Sequence, residues 1–283
     1  MAADTDQRSF LQRSNDLDCR DFSCRAFRFL RARVRAAGRN AILLADEPRV
    51  VRAWKNGWEV DHYARLLHWR DEGFRPQVIY DIGAHRGLWS EMAQNVFSPR
   101  QCVLFEPQRE PVVEIKSRQA RCGGNWRLFS VALGDRVETK TIHVNLQSAA
   151  SSLLPPQSAA PKEFWGGGEL RAEEISVAAL DGVVAAQDLP PPDLIKLDVQ
   201  GYEAKVLAGG RRTITQAARL VVEVSLRPIY EGQVLLPEIL TLLTDWGFVL
   251  EDVNEALRRW PRGGLWQMDI WLKNSTADGA RGT

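Results

Sequence analysis

The sequence predicts an α/β protein with a mostly parallel β-sheet, a terminal antiparallel strand and a helical N-terminal extension. Three observations carry this. After Pro76 the chain runs in short apolar segments separated by helical patterns, as parallel strands with crossover helices do, because strands covered on both faces lose polar alternation. The last two apolar runs follow a single helix and are separated by the turn-rich "RRWPRGG", which suits a hairpin better than another crossover. The stretch "VIYDIGAHRGLWS", residues 78 to 90, passes from an apolar strand through an acid and two spaced glycines into an amphipathic pattern.

Taken in order, residues 1 to about 20 are polar and read as a loosely attached tail. From 22 to about 75 the pattern is helical, with Trp54, Tyr63, Leu66, Leu67 and Trp69 among charges and "NGWEVD" as a turn. Residues 1–75 are therefore assigned to the extension, 76–273 to the main domain and 274–283 to a flexible tail. Strands are predicted over Val78 to Ile82, Cys102 to Phe105, Trp126 to Ala132, Thr139 to Val144, Leu194 to Leu197, Leu220 to Val224, Phe248 to Asp252 and Met268 to Leu272. Helices are predicted over 87–97, 108–121, 201–216 and 235–246. Residues 146 to 170, rich in Ser, Ala, Pro and Gly with Phe164 and Trp165 embedded, read as a flexible insertion or a loop that orders over a ligand.

With 283 residues the chain is long enough for a sizeable core, and its 45% apolar and 26% charged residues are ordinary for a soluble globular protein. No apolar run approaches the roughly 18 residues of a membrane-spanning helix, and the first 20 residues lack the apolar core of a secretory signal. A cytoplasmic location follows as the expectation. A formal net charge of +1 offers no footprint for nucleic acid. The local exception is residues 24–39, where Phe27, Leu30 and Val34 recur at helical spacing among six arginines. That helix would suit peripheral contact with an anionic membrane surface or an acidic partner, or it packs by one face on the main domain. Cys19, Cys24, Cys102 and Cys122 have no zinc-like spacing and fit a reducing compartment. Nothing in the sequence sets the oligomeric state.

The chemistry is concentrated at strand ends. A strand ending at Asp81-Ile82, a turn over Gly83-Ala84-His85-Arg86-Gly87 and a helix from Leu88 place that turn at the carboxyl edge of the sheet, where open α/β folds bind ligands. The spacing is GxxxG, so the middle glycine that lets a dinucleotide pyrophosphate approach is missing. Glu106 follows Asp81 by 25 residues, at the end of the next strand, where an ionised acid can accept hydrogen bonds from ribose hydroxyls. "DLIKLDVQGYE" then sends Asp198 to the same edge from a buried strand. Lys196 interrupts that strand with a charge that is costly unless paired, and Gly201 and Glu203 follow.

Asp81, the glycine loop and Glu106-Pro107 together resemble the nucleoside-binding half of an S-adenosylmethionine-dependent methyltransferase of the seven-stranded Rossmann-like class. With "VALGD" (131–135), "SSL" (151–153), "VAALDGVV" (177–184), "IKLDVQGYE" (195–203), "LVVEVS" (220–225) and "WQMDIWL" (266–272), the chain resembles the FkbM family over roughly residues 76 to 273. The resemblance implies S-adenosyl-L-methionine as cofactor and a small-molecule, sugar, glycolipid or polyketide hydroxyl as acceptor. N- or C-methylation, or a cofactor-binding module without catalysis, are the alternatives. The cofactor would lie on Asp81, Gly83, Ala84, His85, Gly87, Glu106, Pro107 and Asp198, with Val131 and Ala132 along the adenine and Asp135 near its amino group. Ser151 and Ser152 would lie near the sulfonium and acceptor. Asp198, Lys196, Glu203 and His85 are the catalytic candidates, with Asp198 as proton acceptor or hydroxyl orienter and His85 its rival. An asparagine commonly occupies the position of His85 in the family, so His85 either reaches the acceptor or takes the turn geometry that asparagine favours.

Asp181 reads as a turn or helix stabiliser, and Glu223, Arg227 and Tyr230 as candidates to bind acceptor hydroxyls. His62, His68 and His143 are expected in surface or core roles. Asp198, Glu203 and Glu223 are oxygen ligands of the kind that hold Mg2+, yet acids flanking a lysine more often form an internal ion pair, so no metal is expected. Trp165 and Trp266 would suit stacking on a sugar or flat ring, the alternative being core packing.

Overall fold

The computed structural model describes residues 47–145, 150–158, 170–259 and 264–276, with the backbone alone for 255–259. The basic segment 24–39, Cys19, Cys24, most of the 146–170 stretch including Phe164 and Trp165, and the C-terminal tail beyond 276 lie outside the described residues. No helix among the described residues is long and apolar enough to cross a membrane.

A 3-10 turn (Pro48–Val50) leads into α1 (Val51–Asn56), which stops at Gly57 in the left-handed conformation, and then α2 (Val60–Asp71). The main domain alternates β1 (Val78–Ile82), α3 (Leu88–Phe97), β2 (Gln101–Phe105), α4 (Arg109–Cys122) and β3 (Trp126–Phe129). A second group follows: β4 (Ala132–Gly134), β5 (Glu138–Asn145), β6 (Leu170–Ala179) and α5 (Leu180–Ala186). The domain closes with β7 (Leu194–Leu197), α6 (Glu203–Ile214), β8 (Arg219–Ser225), α7 (Leu236–Asp245), β9 (Phe248–Arg259) and β10 (Gly264–Asn274).

Seven strands form one sheet in the order β3-β2-β1-β7-β8-β10-β9. The first five lie parallel, and β10 runs antiparallel between β8 and β9. The order reverses at β1 and β7, so the loops after these strands diverge and open a crevice at the carboxyl edge.

Strand alternation divides the sheet into two faces. On one, Ile79, Cys102, Leu104, Leu194, Val221 and Trp271 pack with α2 and α3. On the other, Tyr80, Ile82, Val103, Phe105, Ile195, Leu197, Val222, Val224 and Ile270 pack with α5, α6 and α7. α2 commits Tyr63, Leu66, Leu67 and Trp69 to the first face, all buried. At about 1.5–3 kcal/mol for each such side chain, the extension is integral to this core.

The predicted strands and crossover helices of the main sheet are present with ends shifted by a few residues, the last two strands being much longer than predicted, at 12 and 11 residues. The predicted run Trp126 to Ala132 is two strands: β3 ends the main sheet at Phe129, and β4 belongs to a separate three-stranded sheet, β4-β6-β5. β6 was absent from the prediction because Arg171, Glu173 and Glu174 interrupt its apolar pattern, and α5 because seven residues are too few to show a period. The small sheet contributes Ile142, Val144, Ile175 and Val177 to a third cluster with Leu153 and Tyr202.

Candidate active site

A cavity of about 660 Å3 opens along the carboxyl ends of β1, β2, β7 and β8. Gly83, Ala84, His85 and Arg86 line it from the first loop, and Phe105, Glu106 and Pro107 from the second. Val131, Ala132, Leu133 and Ile142 supply an apolar wall. Asp198, Gln200, Glu223, Asn254, Asp269 and the stretch Gly57 to His62 lie farther along.

The glycine loop is shaped by backbone contact. A Cβ on Gly83 would overlap the Asp198 carbonyl oxygen, so the loops after β1 and β7 touch through their main chains. His85 has φ +47° and Gly87 φ +74°, and the second opens α3. His85 thus takes the turn geometry considered for it, and its main-chain N–H donates to Glu106 Oε2 at 2.8 Å. Glu106 Oε1 accepts from Gln108 N at 2.9 Å. Burial pushes the Glu106 carboxyl up to about 7 against these bonds. The His85 imidazole, desolvated and close to Arg86, is held below its ordinary value and is neutral at pH 7.

Beyond Glu106 a row of charges crosses the sheet on the face beneath α2. Asp81 is fully buried, takes a 2.6 Å hydrogen bond from Ser90 Oγ and lies 4.0 Å from Lys196 Nζ. Burial raises its carboxyl despite that cation. Lys196, 8% exposed, pairs with Asp198 at 3.0 Å, and the two acids hold its ammonium charged against the cost of burial. Burial would raise Asp198, but the Lys196 ammonium outweighs it and holds the carboxyl below the ordinary range. The Gln200 amide donates to Asp198 Oδ1 and Glu223 Oε2, each at 2.8 Å. Glu223 is the register partner of Asp269, whose Oδ2 lies 3.0 Å from His62 Nε2. Burial opposes the charge on His62, but Asp269 prevails and raises the imidazole.

Of the residues singled out from sequence, Gly83, Ala84, His85, Glu106, Pro107, Val131, Ala132, Ser151, Lys196, Asp198 and Glu223 line this one cavity. Asp81 lies behind the wall and meets the site through Lys196. Gly87 turns the chain against Ile115 and Trp126. Ser152 ties its loop to the Gln200 carbonyl at 2.6 Å, and Glu203 Oε1 holds the N–H groups of Val199 and Gly201 at 3.1 and 3.0 Å. Neither side chain is part of the cavity lining, so both support loops at the site. Asp135 pairs with Lys205 at 2.8 Å, outside the cavity lining. Asp181 binds Thr213 and the Arg212 N–H, tying α5 to α6. Tyr230 donates to Gln200 Oε1 at 2.9 Å, and Arg227 stacks over Trp266.

Sequence reasoning missed His62, Trp58, Trp89, Asn254 and Asp269 on the wall. His62 and Trp58 come from the extension, which no local motif joins to the strand ends. Asp269 had one signal: it is an acid inside the apolar "WQMDIWL", where a buried charge needs a partner.

The residues at the Glu106 end fit S-adenosylmethionine. A buried carboxyl offers acceptors to ribose hydroxyls, Phe105, Val131, Ala132 and Leu133 form an apolar wall for a purine, and the first loop leaves no Gly-x-Gly approach that a pyrophosphate would need. The Methyltransferase FkbM domain profile matches residues 81–250. The chain is 29% identical over 214 residues to 2-O-methyltransferase NoeI of Sinorhizobium fredii, covering 70% of this chain and 79% of that one. It is 24% identical over 200 residues to 31-O-demethyl-FK506 methyltransferase FkbM of Streptomyces tacrolimicus, covering 64% and 75%. Among solved structures, the magnesium protoporphyrin IX methyltransferase of Synechocystis PCC 6803, with bound SAM, superposes at TM-score 0.45 with 13% identity over 76% of this chain and 79% of that one. Strand order, strand-end residues and family match together assign this chain to the FkbM methyltransferase family, as an S-adenosylmethionine-dependent methyltransferase.

Proposed function

We propose that the chain transfers the methyl group to a hydroxyl of a small-molecule, sugar, glycolipid or polyketide acceptor. The observation that carries this is the composition of the cavity beyond Glu106: Asp198, Glu223, Asp269, Gln200 and Asn254 offer hydrogen-bond acceptors beside Trp58 and Trp89. Hydroxyls are donors that such a wall satisfies, and the indole faces suit the apolar side of a sugar or flat ring. Two relatives carrying O-methyltransferase names support the same reading.

In this reading Glu106 accepts from the ribose hydroxyls, Pro107, Val131 and Ala132 enclose the adenine, and the loop from Gly83 to Gly87, with the start of α3, meets the methionine end. Bound S-adenosylmethionine supplies an electrophilic methyl group on a sulfonium whose positive charge is lost on transfer. Asp198, kept ionised by Lys196, orients the acceptor hydroxyl, and alignment supplies much of the rate. Glu203 and Ser152 hold the Asp198–Gly201 turn in position. Incubation with methyl-labelled S-adenosylmethionine and a panel of glycolipid, polyketide and sugar acceptors, each paired with its O-protected form, tests this. Label should appear on the free hydroxyl compounds and be absent from the protected ones. Equal labelling of both, at nitrogen or carbon, would overturn the reading.

A further inference from the structure

We propose that Glu223, held beside Asp198 by the Gln200 amide, takes up the proton that the acceptor hydroxyl gives up. This rests on the hydroxyl-methylation reading above.

The geometry separates the two acids. Asp198 has a cation of its own, Lys196 Nζ at 3.0 Å. Glu223 is held by neutral amides: Gln200 Nε2 at 2.8 Å and Gln267 Nε2 at 3.0 Å, both on Oε2. A proton entering such a pair goes to the acid whose charge is not already balanced. Gln200 is built for the bridge. Its φ is +54°, a left-handed conformation that a non-glycine residue adopts at a cost, and its Oε1 accepts from Tyr230 at 2.9 Å, which directs the amide N–H groups to the two carboxyls. Asp198, Gln200 and Glu223 all line the cavity.

The charges around Glu223 act the same way. Lys196 and Asp198 face it from the end of β7, Asp269 from β10 and Glu203 from α6, with the Tyr230 hydroxyl beside Gln200. His62 of α2 is paired with Asp269. Three acids oppose one lysine that already serves Asp198 and Asp81. Burial, then these acids, push the Glu223 carboxyl well above its ordinary value, which makes it a stronger proton acceptor than Asp198. Glu223 takes the proton as the acceptor oxygen bonds to the methyl carbon and the C–S electron pair stays on sulfur. The proton then passes to water, which restores the carboxylate.

The test uses Glu223→Gln in the full chain, with Glu223→Asp as a second variant. A sulfonium in this cavity favours the ionised carboxyl, whereas S-adenosylhomocysteine brings no charge at sulfur. Calorimetric titrations at pH 7 in buffers of different ionisation enthalpy should show more proton release with S-adenosylmethionine than with S-adenosylhomocysteine. Glu223→Gln should bind both yet lose the difference. With a hydroxyl acceptor, kcat should rise with pH along a limb that Glu223→Gln lacks, its kcat falling about 10²- to 10⁴-fold, while Glu223→Asp keeps the limb at a lower rate. A proton-release difference or a pH limb that survives in Glu223→Gln overturns the assignment even where hydroxyl methylation stands. A chain that methylates only amines fails the hydroxyl reading and this assignment with it, whereas hydroxyl methylation whose pH limb survives in Glu223→Gln overturns the assignment alone.

Discussion

Gly83 and Asp198 are in main-chain contact: a side chain on Gly83 would overlap the Asp198 carbonyl oxygen. The loops that follow β1 and β7 are thereby fixed against one another. Asp198 also takes up the main chain of β1, its N–H donating to the Ile82 carbonyl at 3.0 Å. Gly83→Ala must part the two loops, and Gly83 has φ +80°, which adds strain. We expect a loss of about 1–3 kcal/mol in urea unfolding. Turnover should drop about 10²-fold, as for a misplacement of about 1 Å.

Lys196 is the one cation within salt-bridge distance of both Asp81 and Asp198 among the described residues. Lys196→Met leaves both acids in a buried site without it. A loss of about 3–5 kcal/mol is expected from breaking such a pair. The double variant with Asp81→Asn should recover part of it, because one buried charge is then gone. Denaturant melts of the single and double variants check this, and equal stability of the two would contradict the coupling.

Glu203 gives the fold a pH dependence of definite sign. Burial pushes its carboxyl up to about 7, so between the unfolded value near 4.5 and 7 the folded chain holds a proton that the unfolded chain has released. The associated stability is full below 4.5 and is lost as pH rises through 7, and Glu106 acts in the same direction. Glu203→Gln keeps an oxygen for the Val199 and Gly201 N–H groups. Its unfolding free energy should therefore fall less between pH 5 and pH 8 than that of the parent, by on the order of 1–3 kcal/mol.

The fold was legible where a short run is apolar but for one charged residue. "VIYDI" and "LIKL" read as strands because both faces are covered, and the lone lysine already demanded a partner. β6 was not legible because its charged residues face solvent and its pairing with β5 is long-range. That Glu106 and Asp198 meet at one cavity was readable from their places at strand ends. Ser152 and Glu203 were assigned to ligand or catalysis because a polar residue beside a motif looks the same whether it faces a cavity or holds a loop. His62 was illegible for the opposite reason: it stands 207 residues from Asp269, and only the docking of α2 on the sheet joins them.

That docking gives a prediction of its own. Asp269 raises the buried His62 imidazole above 6.5. In Asp269→Asn only Glu59, 3.5 Å from His62 Nε2, still opposes burial, so the His62 midpoint should fall, as read by NMR titration of the ring. The stabilising pair is present below 6.5 and is lost as pH rises through the raised value, so Asp269→Asn should also flatten the alkaline side of the stability curve. An unchanged His62 midpoint would show that the pair carries no charge.

We propose one cavity, anchored by the Glu106 carboxyl, as the place where the methyl donor is held. Calorimetric titration of S-adenosylhomocysteine into the parent chain and into Glu106→Ala measures it most directly. Saturable one-to-one binding by the parent is expected, with a loss of at least about tenfold in the variant, corresponding to charge-assisted hydrogen bonds of about 1.5–3 kcal/mol. Equal affinity in both chains would contradict it.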